Sequence, residues 1–337
     1  MDCVLGDDFV DAIRSTNVGL VGLSARSGIF DKTRDILRLV SRLSVQNIVY
    51  WNLDAALKLV LTKAMECWPT RIIDVSPGPM LFDELDSTSA LQQRIAFSAS
   101  DYMRRLDHFV AKYADGLPPE RFGQPKSTHV VPNGVAVPTQ SPGGARAVRP
   151  REVDPRFALV TCCRIAPNKR LEVLVEMMKV LSRKLPKASL TIVGGMDQRH
   201  VGYFEGIKRL IEARGIRNIY FAGPSADVFN FLDQFRVFVM ISRNQGCPNA
   251  SLEAMAMGLP VIANSDGGTA EQVLHGRTGF LSEVDDPETL ASYAIQLLTD
   301  QHLARRLGNA AREHVRRHFS LESMGIAYLK LLARDPT

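Results

Sequence analysis

The chain has 337 residues, 45% hydrophobic and 23% charged, the balance of an ordinary soluble globular protein with room for about two domains. Its cysteines, Cys3, Cys67, Cys162, Cys163 and Cys247, form no Cys-x-x-Cys pair and are odd in number, which argues against a disulfide framework or a zinc site. The net charge of +5 sits in the second half. Residues 1–145 hold 15 Lys and Arg against 16 Asp and Glu, and no basic run is interleaved with stacking aromatics, so no nucleic-acid partner is expected.

No stretch approaches the roughly 20 apolar residues of a membrane-spanning helix. The first residues, Met-Asp-Cys-Val-Leu-Gly-Asp-Asp, are acidic where a signal peptide is basic. A reducing, cytoplasmic location is expected, with peripheral attachment at the inner face of the membrane left open.

In chain order, 18–23 reads as a short buried strand broken by Ala25-Arg-Ser-Gly28. Residues 32–44 carry Ile36, Leu37, Val40 and Leu43 at helical spacing, and Asn47–Trp51 reads as a strand. A helix over 54–66 follows, then a strand at Arg71–Val75, a Pro/Gly turn at 77–79, a helix near 88–105, and strands at 108–112 and 129–131. This alternation predicts a parallel sheet covered by helices. Residues 136–151, with three prolines and two adjacent glycines, read as a linker.

The second half repeats the pattern. Strands are expected at Ala158–Cys162, Ser189–Val193, 218–221, 237–241 and 260–263, with helices near 169–185, 203–214, 226–234 and 251–257 between them. Asp286-Pro287 is an N-cap and N1 pair for a further helix. Two more helices, near 300–317 and 321–333, complete the chain. The expected fold class is therefore α/β, with two doubly wound, Rossmann-like domains facing a cleft. Ligands in such sheets bind beyond the carboxyl ends of the strands.

The chemistry collects at those ends. Arg164-Ile-Ala-Pro-Asn-Lys169 puts two cations on a loop and first helical turn, where the helix dipole disfavours them unless an anion shares the site. The plain alternative is an ordinary surface Arg and Lys. Gly194-Gly195 either lets a backbone approach a ligand or makes a tight turn. In 242–258, Asn249 is expected to cap a helix, leaving the N–H groups of Ala250, Ser251 and Leu252 for phosphate oxygens. Glu253, placed in the first turn, either stabilises the helix dipole or accepts hydrogen bonds from ribose hydroxyls. Gly267 and Gly268, followed by Glu271, make another strand-to-helix turn facing the same cleft.

No Gly-x-Gly-x-x-Gly follows the first strand of either half, and P-loop, nucleophile-elbow and His-Glu-x-x-His motifs are absent. The seven histidines form no ligand-spaced cluster, so no metal is expected.

Taken in order, Arg164 to Lys169, Gly194-Gly195, Gly223, Gly246 to Gly258, Pro260-Val-Ile, Gly267-Gly268 with Glu271, and Gly279-Phe-Leu resemble the retaining glycosyltransferase family 4 (glycosyl transferases group 1), of GT-B fold. The likeness covers roughly 155–320. Asn133-Gly134-Val135 also resembles the turn that closes that family's N-terminal domain. The resemblance implies transfer of a sugar, with retention, from a nucleotide diphosphate sugar to a glycan, lipid-linked or small-molecule acceptor. It implies no metal and no cofactor besides that co-substrate. Arg164 and Lys169 would neutralise the departing diphosphate, Ala250 to Leu252 would hold phosphates, and Glu253 would hold the ribose.

Two departures from the pattern stand out. The family places a Glu eight positions before the ribose Glu, against the donor sugar, and here that position is Gln245. The family also opens with a strand and a Gly-rich acceptor loop that find no counterpart, so the front of the first domain is expected to be missing. The expected division is 1–137 as an incomplete acceptor-side domain, 138–151 as linker, 152–320 as the nucleotide-sugar domain, and 321–337 as a helix returning to the first domain. A second reading is a catalytically weak or inactive nucleotide-sugar-binding relative, regulatory or partner-dependent. An epimerase or phosphorylase of the same fold is a third. The sequence leaves the oligomeric state open.

Overall fold

The computed structural model describes residues 21–22, 28–76, 78–139, 154–225, 227–283 and 285–333. These residues divide into two compact units. The first takes in the chain up to Ala111 and Leu117–His129; the second takes in Lys112–Gly116 and everything from Val130 onward. The strand expected at 18–23 and most of the linker lie outside the described residues, and Val21 and Gly22 carry no strand.

In the first unit, α1 (Ile29–Arg42), β1 (Asn47–Trp51), α2 (Ala55–Ala64), β2 (Arg71–Val75), α3 (Met80–Ser87), α4 (Ser89–Ile95), α5 (Ala99–Arg105), β3 (His108–Ala111) and β4 (Thr128–Val130) follow one another. The sheet runs β1-β2-β3-β4, in sequence order, and the β1–β2 and β2–β3 pairs are parallel. The single helix expected near 88–105 is two. Ala96, with φ 49°, ends α4 in the left-handed region, and a capping box restarts the chain as α5, with Ser98 accepting from Asp101 N and Asp101 accepting from Ser98 N. The helix α3 has no counterpart among the elements expected from the sequence.

The core of this unit includes Tyr50, Leu59, Ile72, Leu85, Met103 and Phe109. A charged pair lies inside it. Lys58 Nζ donates to Asp74 Oδ1 at 2.6 Å, both side chains fully buried, and Tyr102 OH donates to Asp74 Oδ2 at 2.6 Å. Burial, first, and then the Asp74 charge raise the Tyr102 phenol well above its ordinary pKa.

The second unit contains β5 (Ala158–Cys162), α6 (Leu171–Lys184), β6 (Ser189–Val193), α7 (Val201–Ala213), β7 (Ile219–Gly223), α8 (Val228–Leu232), β8 (Val237–Met240), α9 (Asn249–Ala256), β9 (Val261–Asn264), α10 (Thr269–Gln272), β10 (Gly279–Ser282), α11 (Pro287–Thr299), α12 (Gln301–His318) and α13 (Leu321–Leu332). Its parallel sheet has the order β10-β9-β8-β5-β6-β7. The chain builds outward from β5 through β6 and β7, then returns to the other side of β5 with β8. The order therefore reverses between β5 and β8, the place where an open α/β sheet offers a ligand crevice.

The ladder shows that crevice opening. β5 pairs with β6 along all of Ala158–Cys162 but with β8 only through Leu159 and Val160. The carboxyl ends of β5 and β8 are thus unpaired with each other, and the loops that leave them flank the gap. Two buried clusters hold the sheet from its two faces. One gathers around Leu174, Met178, Ile192, Val239 and Leu297, the other around Val160, Phe238, Leu252, Met255 and Val315.

Candidate functional site

The loop after β5 leans toward the exit of β6. Cys163 N donates to Val193 O at 2.8 Å and Ile165 N to Gly195 O at 3.0 Å. Gly194 makes this approach possible: its φ is +144°, and a Cβ there would lie 1.8 Å from Cys163 O. Gly195 differs, since a Cβ there meets nothing within 4 Å. The first glycine is a packing requirement, while the second borders open space.

Arg164 is 62% exposed and 3.5 Å from the Asp197 carboxylate. Lys169 ends a single 3-10 turn, Pro167–Lys169, and Arg170 then takes a left-handed φ of 46° before α6 starts at Leu171. Lys169 therefore lies before the helix, not in its first turn. Burial, and to a lesser degree the neighbouring Arg164 charge, lowers the Lys169 pKa. Its Nζ donates to Gln245 Oε1 at 2.7 Å, so the loops after β5 and β8 meet across the reversal of strand order.

The β8 loop is held at several points. Ser242 exchanges two 2.8 Å hydrogen bonds with the Asn264 side chain, and Arg243 N donates to Asn168 O at 3.0 Å. Gln245 N donates to Asp266 Oδ1 at 2.9 Å, and Gly268 N to Gly246 O at 2.8 Å. Cβ atoms on Gly267 and Gly268 would lie 1.9 Å from Gln245 O and 2.1 Å from Gly246 O. These two glycines thus let the β9 turn lie directly against the β8 loop.

The helix end differs from the sequence expectation. Pro248, not Asn249, is the N-cap of α9, and no side chain caps it. Asn249 is the first helical residue, and its Oδ1 accepts from Asn133 Nδ2 at 2.9 Å. Pro248 has no N–H, so the N–H groups of Asn249, Ala250 and Ser251 are those a helix leaves without intrahelical acceptors. Leu252 lies one position further in, and its side chain is fully buried. The Ser251 hydroxyl is committed to Gln272 Oε1 and Pro248 O, leaving only its backbone for a ligand.

Glu253 consequently falls in the second turn, where the dipole gives it little. Burial raises its pKa, and its carboxylate has no hydrogen-bond or ion-pair partner among the described residues. A half-buried carboxylate in that state is suited to accept from ligand hydroxyls. Glu271 is already engaged: its Oε1 accepts from Ala114 N at 2.6 Å.

Sequence reasoning missed three groups here. Asp285, in the loop after β10, pairs with Arg243 at 2.7 Å and with Arg170. Asn133 and Gln272 hold the turn before α9. Tyr113 packs against Gly267 and Gly268 and is 3% exposed. Burial pushes the Cys162 thiol up to about 12 and the Cys163 thiol up to about 11, so neither is poised as a thiolate.

Known proteins resemble this chain in sequence and in fold. Over 248 residues the chain is 29% identical to the D-inositol 3-phosphate glycosyltransferase of Streptomyces avermitilis, covering 71% of this chain and 51% of that protein. Over 238 residues it is 27% identical to the GDP-mannose-dependent alpha-(1-6)-phosphatidylinositol monomannoside mannosyltransferase of Mycolicibacterium smegmatis, covering 67% of this chain and 61% of that protein. The chain thus spans little more than half the length of these relatives. The crystal structure of Anabaena HepE in complex with UDP superposes with a TM-score of 0.77 at 17% identity, covering 96% of this chain and 89% of that one, a likeness of fold. Residues 148–314 match the family model of the glycosyl transferases group 1, so over this stretch the chain is similar to that family, with a GT-B type fold.

Proposed function

We propose that the chain transfers a sugar, with retention, from a nucleotide diphosphate sugar to a glycan, lipid-linked or small-molecule acceptor. The observation that carries this reading is the meeting of Lys169 and Gln245, 2.7 Å apart, where the strand order of the second unit reverses. The reading adds the amino end of α9, which starts four residues after Gln245, and the Glu253 carboxylate.

In this reading the N–H groups of Asn249, Ala250 and Ser251 receive phosphate oxygens, and Glu253 accepts from the ribose hydroxyls. The bond between the anomeric carbon and the diphosphate oxygen breaks, and its electron pair leaves with that oxygen. Arg164 and Lys169 stabilise the charge that develops there. The acceptor hydroxyl oxygen bonds to the anomeric carbon on the face the diphosphate leaves and passes its proton to the departing diphosphate oxygen. Gly195 borders the space for the donor, and Gln245 offers an amide to donor hydroxyls. The Mycolicibacterium relative is named for a phosphatidylinositol-linked acceptor, which supports a lipid-linked acceptor met at a membrane face. Among the described residues no helix is long and apolar enough to cross a membrane.

The test is turnover of UDP-, GDP- and ADP-sugars, with Arg164→Ala and Lys169→Ala as controls. Consumption of one donor, lost in both variants, is expected. Binding without consumption under any acceptor would leave a nucleotide-sugar-binding protein and end the transferase reading.

A further inference from the structure

The end of α9 is only as well placed as the turn Cys247-Pro248-Asn249 that presents it, and that turn is gripped from a distant part of the chain. Asn133 Nδ2 donates to Cys247 O at 2.7 Å and to Asn249 Oδ1 at 2.9 Å. Asn133 N donates to Cys247 Sγ at 3.3 Å. Both protons of the Asn133 amide therefore have acceptors on the turn. From the other side, Gln272 Nε2 reaches Cys247 Sγ at 3.1 Å and Pro248 O at 3.2 Å.

Asn133 is itself anchored. Val135 N donates to Phe319 O at 2.9 Å, and Leu321 N to Val135 O at 3.1 Å. Gly134 passes so close that a Cβ there would lie 2.4 Å from Ser320 O. The run Asn133-Gly134-Val135 is fixed to the junction of α12 and α13 on one side and to the turn before α9 on the other.

We infer that Asn133 is a positioning residue for the phosphate-binding end of α9, an inference that rests on the donor-site reading above. Its amide sets where the N–H groups of Asn249 to Ser251 stand, so diphosphate affinity depends on a residue 116 positions away from Asn249. The nucleoside part of the ligand does not depend on it.

The experiment measures dissociation constants of UDP, GDP and ADP, and of the matching nucleosides, for the full chain. Asn133→Asp keeps the size but removes both donors. Affinity for the diphosphate that wild type binds is expected to fall about tenfold, with nucleoside affinity unchanged. Asn249→Ala removes one of the two side-chain links at an exposed position, and a loss of about threefold, again confined to the diphosphate, is expected. If Asn133→Asp does not fold, Asn249→Ala decides the matter. Equal losses for nucleoside and diphosphate, or no loss, overturn the positioning role and leave the donor site standing. Failure of wild type to bind any of the three diphosphates overturns the donor site, and this inference with it.

Discussion

Gly194 and Gly195 are neighbours in sequence with opposite surroundings, and substituting each by alanine separates packing from ligand space. A Cβ at Gly194 would sit 1.8 Å from Cys163 O, where real Cβ atoms keep at least 3.0 Å, so the β5 exit must move by more than about 1 Å. That movement disturbs the bonds from Cys163 N to Val193 O and from Ile165 N to Gly195 O. The overlap costs about 1–3 kcal/mol, and the φ of +144° adds about 1–3 kcal/mol for a residue with a side chain. Gly194→Ala should therefore lower the melting temperature by about 10 °C. Gly195→Ala meets nothing within 4 Å, so its stability should stay within about 0.5 kcal/mol of wild type. Its methyl instead enters the space assigned to the donor and should weaken nucleotide-sugar binding by roughly tenfold. Differential scanning fluorimetry and titration calorimetry read the two effects. A Gly195→Ala protein that is stable and binds donor as wild type does would refute the placement of the donor beside that glycine.

Three further outcomes follow from other parts of the molecule. The raised pKa of Glu253 means that the folded state holds its proton more tightly than the unfolded one, so the group's contribution is fully present below pH about 4.5 and is lost as pH rises through the raised value. Glu253→Gln should thus be more stable than wild type at neutral pH, the gap closing on acidification, while nucleotide affinity drops; equal denaturation midpoints at pH 7 would contradict this. Lys58→Met leaves the buried Asp74 without its cation and should cost about 3–5 kcal/mol in urea denaturation, whereas a loss under about 1 kcal/mol would mean the pair is hydrated. Asp285→Asn releases Arg243, in the loop after β8, while Arg170 keeps its Glu172 pair at 2.8 Å, and should tighten nucleoside diphosphate binding by about fivefold, an effect that salt should erase; weaker binding would sink it.

The strands at Asn47–Trp51, Arg71–Val75, Ala158–Cys162 and Ser189–Val193 are legible to the residue, because short β-rich runs stand out against their polar turns, even where, as at Asn47–Trp51, only Tyr50 is buried. The break at Ala96 is less visible, although Ser98 and Asp101 carry the capping-box spacing that marks a new helix. The cap of α9 is hidden for a different reason. Asn249 has the right side chain for a cap, but a partner 116 residues away takes its oxygen, and no local pattern encodes that. With the cap at Pro248, Glu253 also leaves the first turn. The Arg170, Arg243 and Asp285 group joins three separate loops and leaves no periodic trace.

The assignment of Lys112–Gly116 to the second unit, between two stretches of the first, has a consequence for how the chain can be divided. The units interleave along the sequence, so no single cut separates them as self-sufficient modules. A fragment beginning at residue 152 would lack Ala114, which holds Glu271, and Asn133, which holds the turn before α9. Gene fusion, domain exchange or proteolytic trimming near 138–151 would therefore carry away part of the framework of the second unit along with the first.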